Sequence, residues 1–244
     1  MAKRIQPLVA FKALKHLVAD PEATDKVFEI IDAMAGDATE RCHKRFLATA
    51  SGQRIAAAEG SLLATLMQRD WLQGLPEGSL GRAYLHFLDS EMLSADGLVE
   101  ASDSAGQYSQ ASPGFRHFNL RLRDQHDLWH IITGYGRDVA GEASLLAFTY
   151  AQTRNRGLGL ISLVGGVKLS KRFGLSIFKS LWQGYRLGKR AAWLPQQEWE
   201  TLLALPLAQV RDLLQVGRPD VYFGLSSKAS KAFSQVNSLE NSGH

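Results

Sequence analysis

The sequence predicts an all-α protein, a single multi-helix domain. Apolar residues recur at helical spacing almost throughout its 244 residues, as in Leu14, Leu17 and Val18 and again in Val27, Ile30, Ile31 and Met34. No convincing run of strand-like alternation interrupts them. The punctuation agrees: Asp20 before Pro21 reads as an N-cap with proline at the first helical position, and Gly36 as the stop of the helix that follows.

The elements follow in chain order. The opening "MAKRIQPLVAFKALKHLVA" has Lys12, Lys15 and His16 among its apolar positions, so it reads as a first helix and not as the core of a signal peptide. Ser79, after "LPEG", is placed to cap a helix over "LGRAYLHFL". From about 94 to 113 the chain turns to Ser, Gly, Asp and Ala, which predicts a loop insertion inside one domain of residues 1–225. Residues 226–244 are small and polar and read as a disordered tail. With 45% hydrophobic and 21% charged residues the chain can build a sizeable core. Cys42 is its only cysteine, which excludes an intrachain disulfide and a Cys-rich zinc site and fits a reducing compartment.

The densest chemistry lies in "HDLWHIITGYGRDVAGE", residues 126–142. At 100° per residue, His126 and His130 stand on one face of a helix with Asp127 at its edge. Gly134 and Gly136 let the chain turn, and "DVAGE" opens a second helix with Glu142 in its first turn. Two imidazoles and two carboxylates can so converge on one divalent ion, zinc, iron or another. A His-x-x-x-His pair alone is more often just a polar helix face. Here Glu142 heads the apolar run "ASLLAFTYAQT", where a buried acid needs a cationic partner, and Thr149, Thr153 and Arg156 project to its side. The spacing also resembles the His-Glu-x-x-His zinc-peptidase motif, but Asp127 replaces the general base and nothing else suggests a peptidase cleft.

Charge is unevenly spread. The net charge is +4, yet no acidic residue occurs between Glu142 and Glu198, while Arg154, Arg156, Lys168, Lys171, Arg172, Lys179, Arg186, Lys189 and Arg190 all fall there. On a helical projection the cations from Lys168 to Arg190 share an arc of about 100°. Leu169, Phe173, Ile177, Leu181 and Tyr185 lie opposite, with Ser170, Gly174, Ser180, Gly184 and Gly188 between them. Small residues at those positions invite close approach, by a neighbouring helix or a lipid chain. A basic amphipathic segment without acids reads as a membrane-facing element. The ordinary alternative is a solvated face on a packed helix, and the glycines leave open whether the segment is one helix or two. Nucleic acid is disfavoured, because the aromatic residues sit on the apolar side and not among the cations. The uncharged runs 143–153 and 157–167 are too short to cross a bilayer, which takes roughly 20 residues.

The pattern His-Asp-x-x-His, eleven residues, Glu resembles the signature of the coenzyme Q (ubiquinone) biosynthesis protein 4 family, matched without a gap by His126, Asp127, His130 and Glu142. The blocks "LPEGSLGRAYLHFL", "GYGRDVAGEASLLAFTYAQ" and "WETLLALPLAQVRDLLQV" are similar to the family as well, so the likeness covers nearly the whole chain. The resemblance implies an all-helical peripheral membrane protein whose four motif residues bind a divalent metal and carry the catalysis. The implied reaction is oxidative decarboxylation of a polyprenylated 4-hydroxybenzoate-type ring, with a hydroxyl installed where the carboxylate was. The same resemblance supports a second class of role, a non-catalytic lipid-binding scaffold that organises a ubiquinone-biosynthesis complex. On the enzyme reading, Arg156 or Arg123 would hold the substrate carboxylate, and the apolar side with Phe173 and Ile177 would take the polyprenyl tail. Expected partners are membrane lipid, the prenylated precursor, other ubiquinone-biosynthesis enzymes and a second copy in a homodimer. The expected place is the cytoplasmic face of a bacterial inner membrane, or the mitochondrial inner membrane in a eukaryote.

Overall fold

The computed structural model describes residues 5–19, 24–58, 60–90 and 112–226. The Asp20-Pro21 cap, residues 94–111 of the predicted insertion and residues 227–244 of the predicted tail lie outside them. Regular structure among the described residues is helical, apart from one isolated bridge between Ser79 and Pro206. In order the helices are α1 (Pro7–Ala19), α2 (Thr24–Ala35), α3 (Ala38–Leu47), α4 (Ala50–Ala57), α5 (Leu62–Leu66), α6 (Arg69–Gln73), α7 (Leu80–Ser90), α8 (Pro113–Asp124), α9 (His126–Thr133), α10 (Val139–Thr153), α11 (Arg156–Phe173), α12 (Ser176–Arg190), α13 (Trp199–Leu202), α14 (Leu207–Leu213) and α15 (Asp220–Leu225). Two compact units contain them: the described residues up to 44, with 135–191 and 219–226, form the first, and the described residues of 45–134, with 192–218, the second.

The first unit is organised by α10, which is apolar nearly all round and packs on both α11 and α12. Its Leu145 and Phe148 are fully buried, each contributing about 1.5–3 kcal/mol of hydrophobic stabilisation. The small residues of α12 explain that packing. A methyl on Gly188 would meet the Phe148 carbonyl oxygen at 2.6 Å and Ala151 Cβ at 2.9 Å, and Gly184 lies against the Ser144 carbonyl. Ser180 and Ser144 share a buried hydroxyl hydrogen bond of 2.8 Å, and Gln152 donates to the Gly188 carbonyl at 2.7 Å. The close approach that the glycines predict is therefore made by a neighbouring helix. Between α11 and α12 the chain turns at Gly174, whose φ of +59° suits glycine. The predicted basic segment is thus a helical hairpin, and Gly36, at φ +55°, stops α2 as the sequence predicts.

The second unit packs α7 against α6, α9 and α14, and α8 against α4, α5 and α9. Ser79 caps α7 as expected, its hydroxyl accepting from the Arg82 N–H at 3.2 Å. The Leu80 and Gly81 N–H groups donate to the Leu205 and Leu203 carbonyls at 2.9 and 2.8 Å, which ties the start of α7 to the turn before α14. An ion pair locks α8 inside: Arg121, almost wholly buried, donates to both Glu200 oxygens at 2.6 and 2.8 Å and to the Gln197 carbonyl at 2.9 Å. Burial opposes ionisation of Glu200, but the Arg121 bond and charge prevail and hold its carboxyl below the usual range.

Candidate metal centre

Helix α9 is held at both ends by the second unit. Gln125, just before it, is buried and accepts from the Trp199 indole N–H at 2.5 Å. At the other end Arg211 donates to the Ile131 and Ile132 carbonyls at 3.0 and 3.1 Å, where a cation also opposes the negative end of the helix dipole. Gly134 closes the helix with φ +78°. Leu128, Trp129 and Ile132 are buried, so the helix cannot rotate to send its histidines to solvent.

That anchoring leaves His130 buried and His126 half-buried, one turn apart on one face. Their rings meet edge to face with centroids 4.8 Å apart, and their ligand-capable nitrogens lie within 4.8 Å. A small ring rotation brings such a pair to one divalent ion, for which metal–nitrogen lengths are about 2.0–2.1 Å. Phe87 of α7 stacks on His130 at 5.9 Å between centroids and 23° between planes. Asp127 is half-buried beside them. The donor set is thus nitrogen plus carboxylate in an apolar shell, which suits zinc or a first-row divalent ion.

Glu142 belongs to the first unit. It sits in the first turn of α10, half-buried, as the sequence predicts. Asp138 caps that helix, accepting from the Ala140 and Gly141 N–H groups at 3.0 and 3.2 Å. Tyr222 of α15 donates its hydroxyl to the other Asp138 oxygen and accepts from the Gly136 N–H at 2.9 Å. Burial, and then the bond to Asp138, push the Tyr222 hydroxyl pKa up, so it remains a donor. Gly141 lies directly on the Gly136 backbone, where no side chain fits.

Of the predicted substrate-binding residues, Arg156 is placed differently from its projection. Helix α10 ends at Thr153 with Arg154 in the left-handed region at φ +59°, so Arg156 starts α11 and does not continue a polar stripe from Glu142. Thr149 and Thr153 turn their hydroxyls back to the carbonyls one turn earlier, at 2.8 and 2.9 Å. Arg123, in the second unit, donates to the neighbouring Asp124 at 2.8 Å. Ile177 is fully buried in the first unit and Phe173 half-buried. Lys168, Lys171, Arg172, Lys179, Arg186, Lys189 and Arg190 are all exposed, together with the apolar Leu163, Val167, Leu175 and Trp182. Trp182 continues a stack through Tyr185 to Tyr150, with centroid separations of 5.5 and 5.9 Å.

Sequence reasoning passed over Phe87 and the Asp138–Tyr222 clamp. For Phe87 a weak signal was present, since it lies within "GRAYLHFL", a block the resemblance itself singles out. The clamp joins residues 84 positions apart and has no local signature.

A family model described as coenzyme Q (ubiquinone) biosynthesis protein Coq4 matches residues 4–220. This chain belongs to the Coq4 family. Its curated Coq4 relatives include the mitochondrial ubiquinone biosynthesis proteins of Aspergillus niger, 28% identical over 79% of this chain and 60% of the relative, and of Talaromyces stipitatus, 29% identical over 73% and 60%. The chain spans about three fifths of the length of these Coq4 proteins. A crystal structure of a Nostoc punctiforme protein provisionally named for ubiquinone biosynthesis shares the fold, with a TM-score of 0.58 and 21% identity over 88% of this chain and all of that one. The family is one of ubiquinone-biosynthesis proteins. No helix among the described residues is long and apolar enough to cross a membrane.

Proposed function

We propose that this Coq4-family protein is a metal-dependent enzyme of ubiquinone biosynthesis that replaces the carboxylate of a polyprenylated 4-hydroxybenzoate-type ring by a hydroxyl at a membrane surface. The observation that carries the reading is the histidine pair: His126 and His130 are held one turn apart, His130 in the apolar interior under Phe87, where imidazoles without a chemical task are poor packing material. Asp127 and Glu142 complete the ligand set. Glu142 is tethered to His130 by only eleven intervening residues and its helix start is fixed by the Asp138 cap. When bound, a divalent ion supplies a Lewis acid for the carboxylate and phenolic oxygens of the substrate, and a redox-active ion also serves oxygen chemistry. Asp127 can alternatively hold or release a proton as a general base. Arg123 and Arg156 are the candidate partners of the substrate carboxylate, as bidentate donors.

The exposed cations and apolar residues of the α11–α12 hairpin support docking on anionic lipid, the surface of an inner membrane where a long-tailed substrate resides. The same hairpin favours a second reading, a lipid-binding scaffold that recruits partner enzymes or a second copy without chemistry of its own.

The test is metal analysis of the purified protein, followed by incubation under air with a prenylated 4-hydroxybenzoate and mass spectrometry of the product. Loss of the carboxyl carbon with gain of a hydroxyl, dependent on metal and abolished by Glu142→Gln, is the expected result. Tight vesicle binding with unchanged substrate would move the assignment to the scaffold.

A further inference from the structure

Helix α1 buries its small residues and exposes its large ones. Ala10 and Ala13 are buried, while Leu8 and Phe11 are exposed at 79% and 58%. Packing on α2 explains the inner face: alanines let two helices approach closely, and the Gln6 N–H donates to the Ala33 carbonyl at 2.8 Å. The outer face has no such task among the described residues. At 100° per residue Leu8, Phe11, Lys12 and Lys15 fall within an arc of about 100°, opposite Ala10 and Ala13, and all four are exposed. Lys15 Nζ lies 5.8 Å from the Phe11 ring centroid, so cation and ring form one surface unit. No acidic residue occurs before Asp20, so the stripe has no carboxylate of its own.

We propose that the outer face of α1 is an interfacial contact with an anionic bilayer, in which Leu8 and Phe11 enter the acyl boundary and Lys12 and Lys15 bind lipid phosphates. A helix that presents bulky apolar side chains beside lysines lies in the plane of such an interface, its apolar face about 5–10 Å deep. Lysine stems then run along the apolar surface while their ammonium groups stay among the headgroups. A second copy fits the stripe worse: a two-fold contact would set Lys12 and Lys15 against their own images, with no acid on the stripe to match them. Helix α1 belongs to the same compact unit as the α11–α12 hairpin but is a separate surface element, since it packs on α2 and α2 packs on α11. The contact rests on the membrane-surface reading given above and adds residues outside the hairpin.

The test is co-sedimentation of the full chain with vesicles of phosphatidylcholine, with and without phosphatidylglycerol, alongside thermal melting. Leu8→Ser with Phe11→Ser should bind the anionic vesicles less tightly by about tenfold or more at an unchanged Tm, and Lys12→Gln with Lys15→Gln by about fivefold per charge at low salt. A bimane dye on the Phe11→Cys variant, whose native Cys42 is buried, should shift to the blue on binding and be quenched by doxyl-labelled lipid, a readout that stands even where a variant lowers Tm. An unshifted dye on bound protein, or wild-type binding by the Leu8→Ser, Phe11→Ser protein, overturns the contact at α1 and leaves the hairpin as the membrane element. Unchanged vesicle binding, with a wild-type dimer split to monomer by the same pair of changes, assigns the face to a second copy and overturns the contact too. Wild-type protein that does not bind anionic vesicles overturns both α1 and the hairpin.

Discussion

Helix α9 turns its titratable side chains inward, while α12 turns its own outward. In α9 the histidines and Asp127 are buried or half-buried beside Leu128, Trp129 and Ile132. In α12 the inner face is Ile177, Ser180, Leu181, Gly184 and Gly188, and every lysine and arginine is exposed. A polar group enclosed in a core acts on one partner at short range, because desolvation makes an unmatched group expensive. Exposed cations act at longer range on any anionic surface, additively and under screening by salt. Changes in α9 should therefore be nearly all-or-none and local, and changes on the outer face of α12 graded and salt-dependent.

The sharpest break is His130→Ala. It should reduce bound metal to background by elemental analysis, abolish turnover and lower stability by about 2–4 kcal/mol, since the buried side chain leaves a cavity. His126→Ala, at a half-buried position, should lose the metal with a smaller fall in Tm. Full metal content in either variant would remove the histidine pair from the site.

On α12 the inner face should be as intolerant as the outer is permissive. Gly188→Leu drives a side chain into the Phe148 carbonyl and Ala151, and a loss of about 3 kcal/mol is expected in denaturant melts. Tyr222→Phe removes the donor to Asp138 at the start of α10, with an expected loss of about 1.5–3 kcal/mol and weaker metal retention through Glu142. A Tm equal to wild type would show that the Asp138 cap needs no clamp.

Acid should loosen the second unit through Glu200. Its carboxyl is depressed in the folded protein, so its stabilisation is complete above the ordinary glutamate range and is lost as pH falls through that range toward the folded value. Melting curves between about pH 6 and pH 3 should slope less steeply for Glu200→Gln than for wild type.

The smallest effect on the fold belongs to the outer cations. Lys179→Gln with Arg186→Gln should shift stability by less than about 0.5 kcal/mol, while weakening sedimentation with anionic vesicles by about fivefold per charge at low salt. Equal binding at low and high salt would transfer the role to Leu175 and Trp182, exposed at 77% and 62%.

Much of this was legible locally. The helix under His126 and His130, the turn at Gly134 and the position of Glu142 in a first turn follow from spacing, glycine and the Asp138 cap, all within a few residues. The small residues of α12 announced a close approach without saying to what, and helix α10 is the answer because the backbone of Ser144 and Phe148 and the Ala151 Cβ stand where a larger side chain would clash. Projection misled at Arg156 because it assumes that a helix continues, and the left-handed turn at Arg154 ends α10 just before it. Ile177 shows the same limit, since an apolar position on an amphipathic helix faces a core or a lipid equally well on paper.

Composition and pattern by themselves determined an all-helical protein, a histidine and carboxylate motif on two successive helices and a cationic segment free of acids, because each depends on residues adjacent in the chain. Tertiary structure decided which polar groups are enclosed. Phe87 comes to α9, Tyr222 to Asp138 and Glu200 to Arg121 through packing between helices distant in sequence. Burial of a polar group, and hence its energetic weight, is a property of everything packed around it and not of its neighbours along the chain.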